Sequence, residues 1–216
     1  MKRIFNDKIK RFFDVFLSIL LITLLSPLFL LLTILIKTTS KGPVIYSSKR
    51  VKKDFALFDC YKFRTMYVDA DKRLKTLLQQ SQSLRKEWKE FQKLKNDPRV
   101  TWIGKILRKS SLDELPQLWN VLIGDMSLVG PRPYAIFGPK SGFKNELYSL
   151  YGKEIETILS IKPGLTGLWQ VSGRNTLPLK KRLELDLTYI QMQNLKTDMV
   201  ILAKTIPEIF SSKGAF

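Results

Sequence analysis

Two carboxylates stand side by side in Ser110-Ser111-Leu112-Asp113-Glu114-Leu115-Pro116, where they open a helix. An ionised carboxylate can attack phosphorus and form an aspartyl-phosphate type of intermediate. Histidine is absent, which excludes a Ser-His-Asp or Cys-His triad, a histidine general base and a histidine-ligated zinc or iron site. Catalysis is left to carboxylates, Lys, Arg, Tyr, hydroxyls or a hard cation. On this reading Asp113 is the nucleophile, with the helix end keeping it ionised and offering backbone N–H groups to a phosphate. Glu114 points elsewhere and suits Mg²⁺, whose preference for hard oxygen matches a carboxylate and a diphosphate together. A structural alternative stands beside this one. Ser111 and Glu114 have the spacing of a capping box, and acids suit a helix N-terminus in any case. Pro116 fits a helix starting near Asp113 better than one capped by Ser111, which leaves the register open.

The cations form a second set. In Gly130-Pro131-Arg132-Pro133 two prolines restrict the backbone around one guanidinium, as a loop would to hold Arg132 for bidentate contact with phosphate oxygens. A rigid turn with a solvated arginine is the plainer alternative. Lys62 and Arg64 in YKFRTM, and Arg108 ahead of the serines, fit either phosphate contact or surface charge. Arg174 in Gly173-Arg174-Asn175 fits a nucleotide or sugar contact or a simple turn. The formal charge of +18 implies a polyanionic neighbour: nucleic acid, anionic lipid or phosphate-bearing substrates. The single cysteine, Cys60, cannot form an internal disulfide, and beside Phe58 and Tyr61 it reads as a small core residue in a reducing cytosol.

At 216 residues the chain suits one domain with a real core plus a membrane element. From Val15 to Ile36 it is almost wholly apolar, close to the ~20 residues a bilayer core demands of a helix. Ser26-Pro27 near the middle predicts a kink, and serine can satisfy groups freed by the proline. Lys2, Arg3, Lys8, Lys10 and Arg11 precede the segment, while Lys37, Lys41, Lys49, Arg50, Lys52 and Lys53 follow it. The positive-inside rule wants both ends in the cytosol, which a re-entrant helix bent at Ser26-Pro27 satisfies; an ordinary span with a tolerated proline is the alternative. Short strands are expected around 44–46 and 55–63. Residues 70–95 read as one long or two short amphipathic helices, 103–108 as a basic helix, and 179–210 as helical again. Between them Gly124, Gly130-Pro131-Arg132-Pro133, Gly138-Pro139, Lys162-Pro163-Gly164, Gly167 and Gly173 mark a loop-rich centre, where function usually sits.

YKFRTM, LRKSSLDELPQLWNVLIGDMSLVGPRP and KPGLTGLWQVSGRN, in this order and spacing, resemble the bacterial sugar transferases known as small monotopic phosphoglycosyl transferases. The resemblance covers nearly the whole chain. It implies an α+β, predominantly helical fold, with a re-entrant membrane helix over residues 1–40 and a cytosolic catalytic domain over 41–216. That domain carries a small sheet and amphipathic interfacial helices. By resemblance Asp113 is the nucleophile and Glu114 its acidic partner, associated with Mg²⁺. Lys62, Arg108 and Arg132 surround the substrate phosphates, Arg174 contributes to nucleotide-sugar binding, and Asp198 is a further acid of the metal site. The aromatic stretch that many members show before that acid is here QMQNLKT.

The implied reaction has two steps. Asp113 attacks the β-phosphate of a UDP-sugar and expels UMP, then polyprenyl (undecaprenyl) phosphate attacks the phosphosugar-enzyme, starting O-antigen, capsule or exopolysaccharide synthesis. The insertion ending in EWKEFQKLKNDPRVT resembles members that transfer hexose-1-phosphate. The expected location is the cytosolic face of the bacterial inner membrane, in the minimal form without the extra N-terminal helices of larger relatives. Membrane lipid, a second copy of the chain and downstream glycosyltransferases are the expected partners, and nucleic acid is not. Two rivals come from other classes. One is a membrane-tethered nucleic-acid-binding protein, motivated by charge and by Trp88, Trp102, Trp119 and Trp169. The other is a non-catalytic assembly scaffold using its amphipathic helices.

Overall fold

Two helices, α1 (Asp7–Leu24) and α2 (Ser26–Thr39), take up the apolar segment and meet at an angle of 61°. The reason for the break is local. Pro27 has no N–H to give Thr23, its partner one turn back, and the Ser26 hydroxyl donates to the Thr23 carbonyl instead at 2.8 Å. Proline then sits in the first turn of α2, where a missing donor costs little. Among the described residues no single helix is long and apolar enough to cross a membrane; α1 and α2 together are, but bent. The computed structural model describes residues 7–91, 94–136 and 142–211. Lys2, Arg3, Gly138 and Pro139, named above, lie outside them.

The face of α1 that meets the domain carries Asp14 and Ser18, both buried, with Leu17, Leu21 and Ile22 packed on the main core. The opposite face leaves Ile9, Phe12, Phe16, Ile19, Leu20 and Leu24 exposed. A helix with polar groups turned inward and apolar groups outward is inverted relative to the usual surface helix. Lys10 and Arg11 also turn inward, although the sequence places them among the flanking charges. Arg11 donates to the carbonyls of Val121 and, at 2.6 Å, Leu122, among the orphan acceptors at a helix C-terminus.

The rest is α+β and mostly helical. Strands β1 (Ile45–Val51) and β2 (Leu57–Phe63) pair antiparallel, with Lys49 opposite Asp59 and Tyr46 opposite Lys62. Helices α3 (Ala70–Gln80) and α4 (Gln82–Phe91) settle the 70–95 question as two helices, parted at Ser81, which is extended. Helix α5 (Trp102–Ser110) is capped by Thr101, whose Oγ1 accepts from Gly104 N at 3.0 Å. A 3₁₀ turn (Leu112–Glu114), α6 (Gln117–Ile123), β3 (Ser127–Val129) and β4 (Tyr134–Ala135) follow. After them come α7 (Phe143–Tyr151), α8 (Glu154–Ile158), β5 (Gly164–Thr166), α9 (Leu179–Met192) and α10 (Leu195–Ser211). The three-stranded sheet has the order β2-β1-β4, and β3 pairs parallel with β5. Cys60 is buried in the main core, as expected.

Strand β2 is an edge strand, and an unpaired edge needs covering. Asn120 of α6, fully buried, does this with its side-chain amide: Oδ1 accepts from Tyr61 N at 2.9 Å and Nδ2 donates to Asp59 O at 2.7 Å. The amide stands in for a neighbouring strand and locks α6, hence the turn before it, to the strand carrying Lys62. Asn120→Ala leaves a buried donor and acceptor unpaired, at a cost of about 2–4 kcal/mol. Urea unfolding of the two proteins in the same detergent is the measurement. An unchanged midpoint would show that the edge is not held this way.

Candidate active site

The 3₁₀ turn places Asp113 and Glu114 between α5, β2 and the loop after β3. Its approach is set by Gly104: a Cβ there would lie 2.0 Å from the Thr65 carbonyl oxygen, so only glycine lets α5 rest against that backbone. One turn on, Arg108 Nε donates to Thr65 Oγ1 at 2.9 Å and its charge acts on Asp113. The capping-box alternative is corrected here. Ser111 adopts a left-handed conformation (φ 57°), its side chain makes no cap, and Glu114 N bonds the Ser111 carbonyl at 3.1 Å. Helix α6 begins after Pro116, so the pair lies in a short turn and does not open an α-helix.

Glu114 is engaged through both of its oxygens. Its Oε1 accepts from Lys62 Nζ at 2.6 Å and Arg132 Nη2 at 2.6 Å, and its Oε2 accepts from Arg132 Nη1 at 3.0 Å. This is the bidentate contact foreseen for Arg132, made to a carboxylate of the protein. Asp113, nine-tenths buried, accepts no hydrogen bond from a described residue. The two acids are driven apart. Burial, then the charge of Glu114, pushes Asp113 up to about 6 against the pull of Lys62, Arg108 and Arg132. For Glu114 burial acts the same way, but Arg132 and Lys62 outweigh it and hold the carboxyl below the usual carboxylate range. The expected helix-end stabilisation of Asp113 is therefore replaced by desolvation that opposes its charge. Neighbouring titratable groups pushed in opposite directions mark assigned roles.

Arg132 is held by the backbone around it. Gly130 N bonds Thr166 O at 2.9 Å and Gly164 N bonds Pro131 O at 2.8 Å, so the proline loop is stitched to β5. A Cβ on Gly164 would lie 2.1 Å from Gly130 N. The Arg132 carbonyl accepts from Arg182 Nη2 at 3.0 Å, and the Arg182 guanidinium lies over Tyr134 and Trp169, with centroids at 4.3 and 5.0 Å. Arg182, Tyr134 and Trp169 were not singled out from the sequence as site residues. Arg174 comes close to the turn, with Nη1 3.4 Å from Ser111 Oγ. Arg64 turns away from the dyad: its Nη2 donates to Ser40 O and Oγ at 2.7 and 2.9 Å, at the C-terminal end of α2.

Asp198 is not brought into contact with the dyad. Buried on α10, it bonds Lys10 of α1 and accepts from Tyr189 OH at 2.8 Å, while Lys10 also donates to Val129 O at 3.2 Å. These groups brace the strand that leads into Gly130. Among the described residues no cluster of three or more acidic or thiol groups could hold a metal alone.

A buried carboxylate beside a fixed anion and several cations is the equipment of a group-transfer site acting on phosphate, and the chain belongs to the bacterial sugar transferase family, whose pattern matches residues 5–212. Relatives by sequence include the exopolysaccharide production protein ExoY of Sinorhizobium fredii, 44% identical over 207 residues, with 96% of this chain and 88% of that protein covered. The undecaprenyl-phosphate galactose phosphotransferase of Salmonella typhimurium is 44% identical over 208 residues, with 96% and 42% covered. The UDP-glucose:undecaprenyl-phosphate glucose-1-phosphate transferase of Klebsiella pneumoniae is 38% identical over 216 residues, with 98% and 42% covered. The chain thus spans less than half the length of the last two.

Proposed function

We propose that the protein moves a hexose-1-phosphate from a UDP-sugar to undecaprenyl phosphate, releasing UMP and starting O-antigen, capsule or exopolysaccharide synthesis. The observation that carries this is the unpaired carboxylate of Asp113 beside a Glu114 locked to Lys62 and Arg132. The named activities of the Salmonella and Klebsiella relatives support both the acceptor and a hexose donor. Asp113 Oδ attacks the β-phosphorus; the bond to the bridging oxygen breaks and that oxygen leaves on UMP. An oxygen of undecaprenyl phosphate then attacks the same phosphorus, breaks the bond to Asp113 and leaves a diphosphate-linked sugar lipid. Fixed cations serve such a transfer by positioning and by neutralising charge as it moves. Arg108 and Arg174 are the cations we assign to the substrate phosphates and the nucleotide, while Lys62 and Arg132 hold Glu114.

The dyad fits Mg²⁺ in the company of a diphosphate. Three hydrogen bonds occupy Glu114, a carboxylate has about four lone-pair sites, and Mg²⁺ usually takes one or two carboxylates with substrate oxygens and water. Bound there, it would neutralise diphosphate charge. Asp198 stays outside this set.

The bent pair α1–α2, apolar on its outer face, supports a re-entrant element over 1–40 that holds the catalytic domain, 41–216, on the cytosolic face of the inner membrane. With Asp7→Cys in intact cells, labelling by an impermeant external reagent would show a spanning helix instead. Incubating purified protein and undecaprenyl phosphate with a panel of UDP-sugars tests the reaction: a hexose donor should give UMP and a sugar lipid together. Absence of UMP with every UDP-sugar would overturn the reading.

With Asp113 as nucleophile, protonation stops the first step. The rate of the UMP burst from donor alone should rise with pH through about 6 and fall about tenfold per unit well below it, whereas an ordinary aspartate would titrate near ~4. A burst rate flat from pH 5 to 8 would contradict this.

A further inference from the structure

Strand β1 turns three side chains, Tyr46, Ser48 and Arg50, to the face of the sheet that carries Lys62. Tyr46 stands opposite Lys62, Ser48 opposite Cys60 and Arg50 opposite Phe58. On the β2 half of this face Phe58 and Cys60 are buried in the main core. The β1 half is more open: Tyr46 is exposed, and Ser48 and Arg50 are half-buried. Strand β4 pairs with β1 at Arg50 and Val51, so the loop that bears Arg132 runs into the sheet beside Arg50. Strand β1 thus forms a shelf next to the cluster of Lys62, Glu114 and Arg132.

Arg50 reads along the chain as one more flanking charge, and the fold gives it a different place. Its basic neighbours in sequence have acids of their own: Lys49 pairs with Asp59 at 2.7 Å and Lys52 with Asp125 at 2.5 Å. Among the described residues no carboxylate pairs with Arg50. Its Nε lies 3.4 Å from Ser48 Oγ, so the guanidinium runs back along the strand toward the Lys62 row, one pleat repeat of ~7 Å further on. Burial, then the charge of Arg132, lowers its proton affinity, and Glu114 is among the charges that oppose this. A cation held in this way is short of the anion that would offset its desolvation. Arg108 occupies the other side of the dyad, where the charges that act on it are Asp113, Asp97 and Arg99.

We infer that Arg50 binds the phosphate that leaves with the nucleotide, so that the shelf of β1 seats the donor's diphosphate. The inference rests on the proposed transfer from a UDP-sugar. In-line transfer puts the attacking and leaving oxygens on opposite sides of phosphorus. A phosphorus attacked from Asp113 and lying over Glu114 therefore sends its leaving oxygen toward the Arg50 side. As the bond from the β-phosphorus to the bridging oxygen breaks, its electron pair stays on that oxygen and the nucleotide phosphate gains charge. A planar guanidinium takes two oxygens of such a phosphate at once. Lys62 and Arg132 are committed to Glu114, and Arg108 stands on the Asp113 side. Arg50 is then the cation whose position suits the leaving group.

Product inhibition by UMP, measured on the full chain in lipid nanodiscs, tests this directly. Arg50→Met should raise the inhibition constant of UMP at least tenfold and slow the UMP burst from donor alone, with KM for undecaprenyl phosphate unchanged. Arg50→Lys keeps a charge but loses the fork, and should fall between Arg50→Met and the wild type. Since the substitution by Met removes a half-buried charge that no carboxylate offsets, the melting midpoint should stay at or above that of the wild type. A UMP constant that does not move in Arg50→Met overturns the inference. So does an equal rise in the acceptor KM, which would mark a general distortion of the site. If Arg50→Met melted below the wild type, Arg50→Lys would decide, and a wild-type UMP constant there would overturn the inference. Wild-type protein that released no UMP from any donor would remove the transfer itself. UMP release by the wild type beside an unmoved constant in Arg50→Met would remove only the role of Arg50.

Discussion

Asp113→Asn is expected to abolish transfer, by on the order of 10⁴-fold or more, and at the same time to make the protein more stable at neutral pH. Both effects come from one carboxylate. An amide of the same shape has no anionic oxygen to form the bond to phosphorus, so neither the UMP burst nor a phosphosugar adduct should appear. The stability gain follows from burial, which raises the Asp113 pKa to about 6 in the folded protein. A carboxyl raised above its unfolded value favours the fold while protonated. That contribution is complete below pH ~4 and is lost as pH rises through about 6. At pH 7.5 the wild type has lost it and the Asn variant, with nothing to ionise, has not. The gain should be about 3 kcal/mol, or roughly 6–12 °C in melting midpoint, and should vanish by pH ~4. Thermal melts of both proteins at pH 7.5 and pH 4, beside the burst assay, read out both halves. Turnover by Asp113→Asn would remove the mechanism; lost activity with lowered stability would mean that the carboxylate holds the fold and does not strain it. A scaffold would keep its partners through this substitution, which separates it from an enzyme.

That strain was not legible in the sequence, although the residue was. Adjacent acids in a chain without histidine are visible from residue types alone. Whether they are spread by a helix dipole or by burial depends on the register of the turn, and the αL conformation of Ser111 sets that register. A serine three residues before a glutamate gives the same string whether its side chain caps a helix or its backbone closes a turn. Lys62 and Arg132 were visible as cations, but their shared partner is Glu114, a contact between β2, the turn and the loop after β3 that no local pattern encodes. Lys10 and Arg11 read as flanking charges because charge bias is counted along the chain; only the packing of α1 on α6 and β3 turns them inward. Asn120 left a signal that could have been used. It is the lone amide side chain among the hydrophobic residues of LWNVLI, and a polar group at a core position needs partners. The break at Ser26-Pro27 was legible because proline's missing donor is a property of the residue itself.

A loss of stability as large as that of Asn120→Ala is expected from Glu114→Ala, together with a loss of activity. Glu114 is the common acceptor for Lys62 and Arg132, whose side chains are 20% and 31% exposed. Removing it leaves both cations facing each other with no anion between them. Breaking a fully buried pair costs about 3–5 kcal/mol; with this much solvent access about 2–4 kcal/mol is expected, and activity should fall with it. Lys62→Met with Glu114→Ala should recover part of the loss, since one stranded charge goes with its partner, and a double-mutant cycle measures the coupling. Glu114→Gln separates anchoring from electrostatics. It keeps the volume and one acceptor, yet it removes the charge that, after burial, does most to raise Asp113, and it frees Lys62 and Arg132 to act on Asp113 alone. Both changes push the Asp113 carboxyl down. The rising limb of the burst rate should therefore move from about 6 toward the ordinary aspartate value near ~4, while the plateau drops because the turn is held less firmly. A purely structural Glu114 would lower the plateau and leave the limb in place. A limb that stayed near pH 6 in Glu114→Gln would mean that burial alone sets the proton affinity of Asp113.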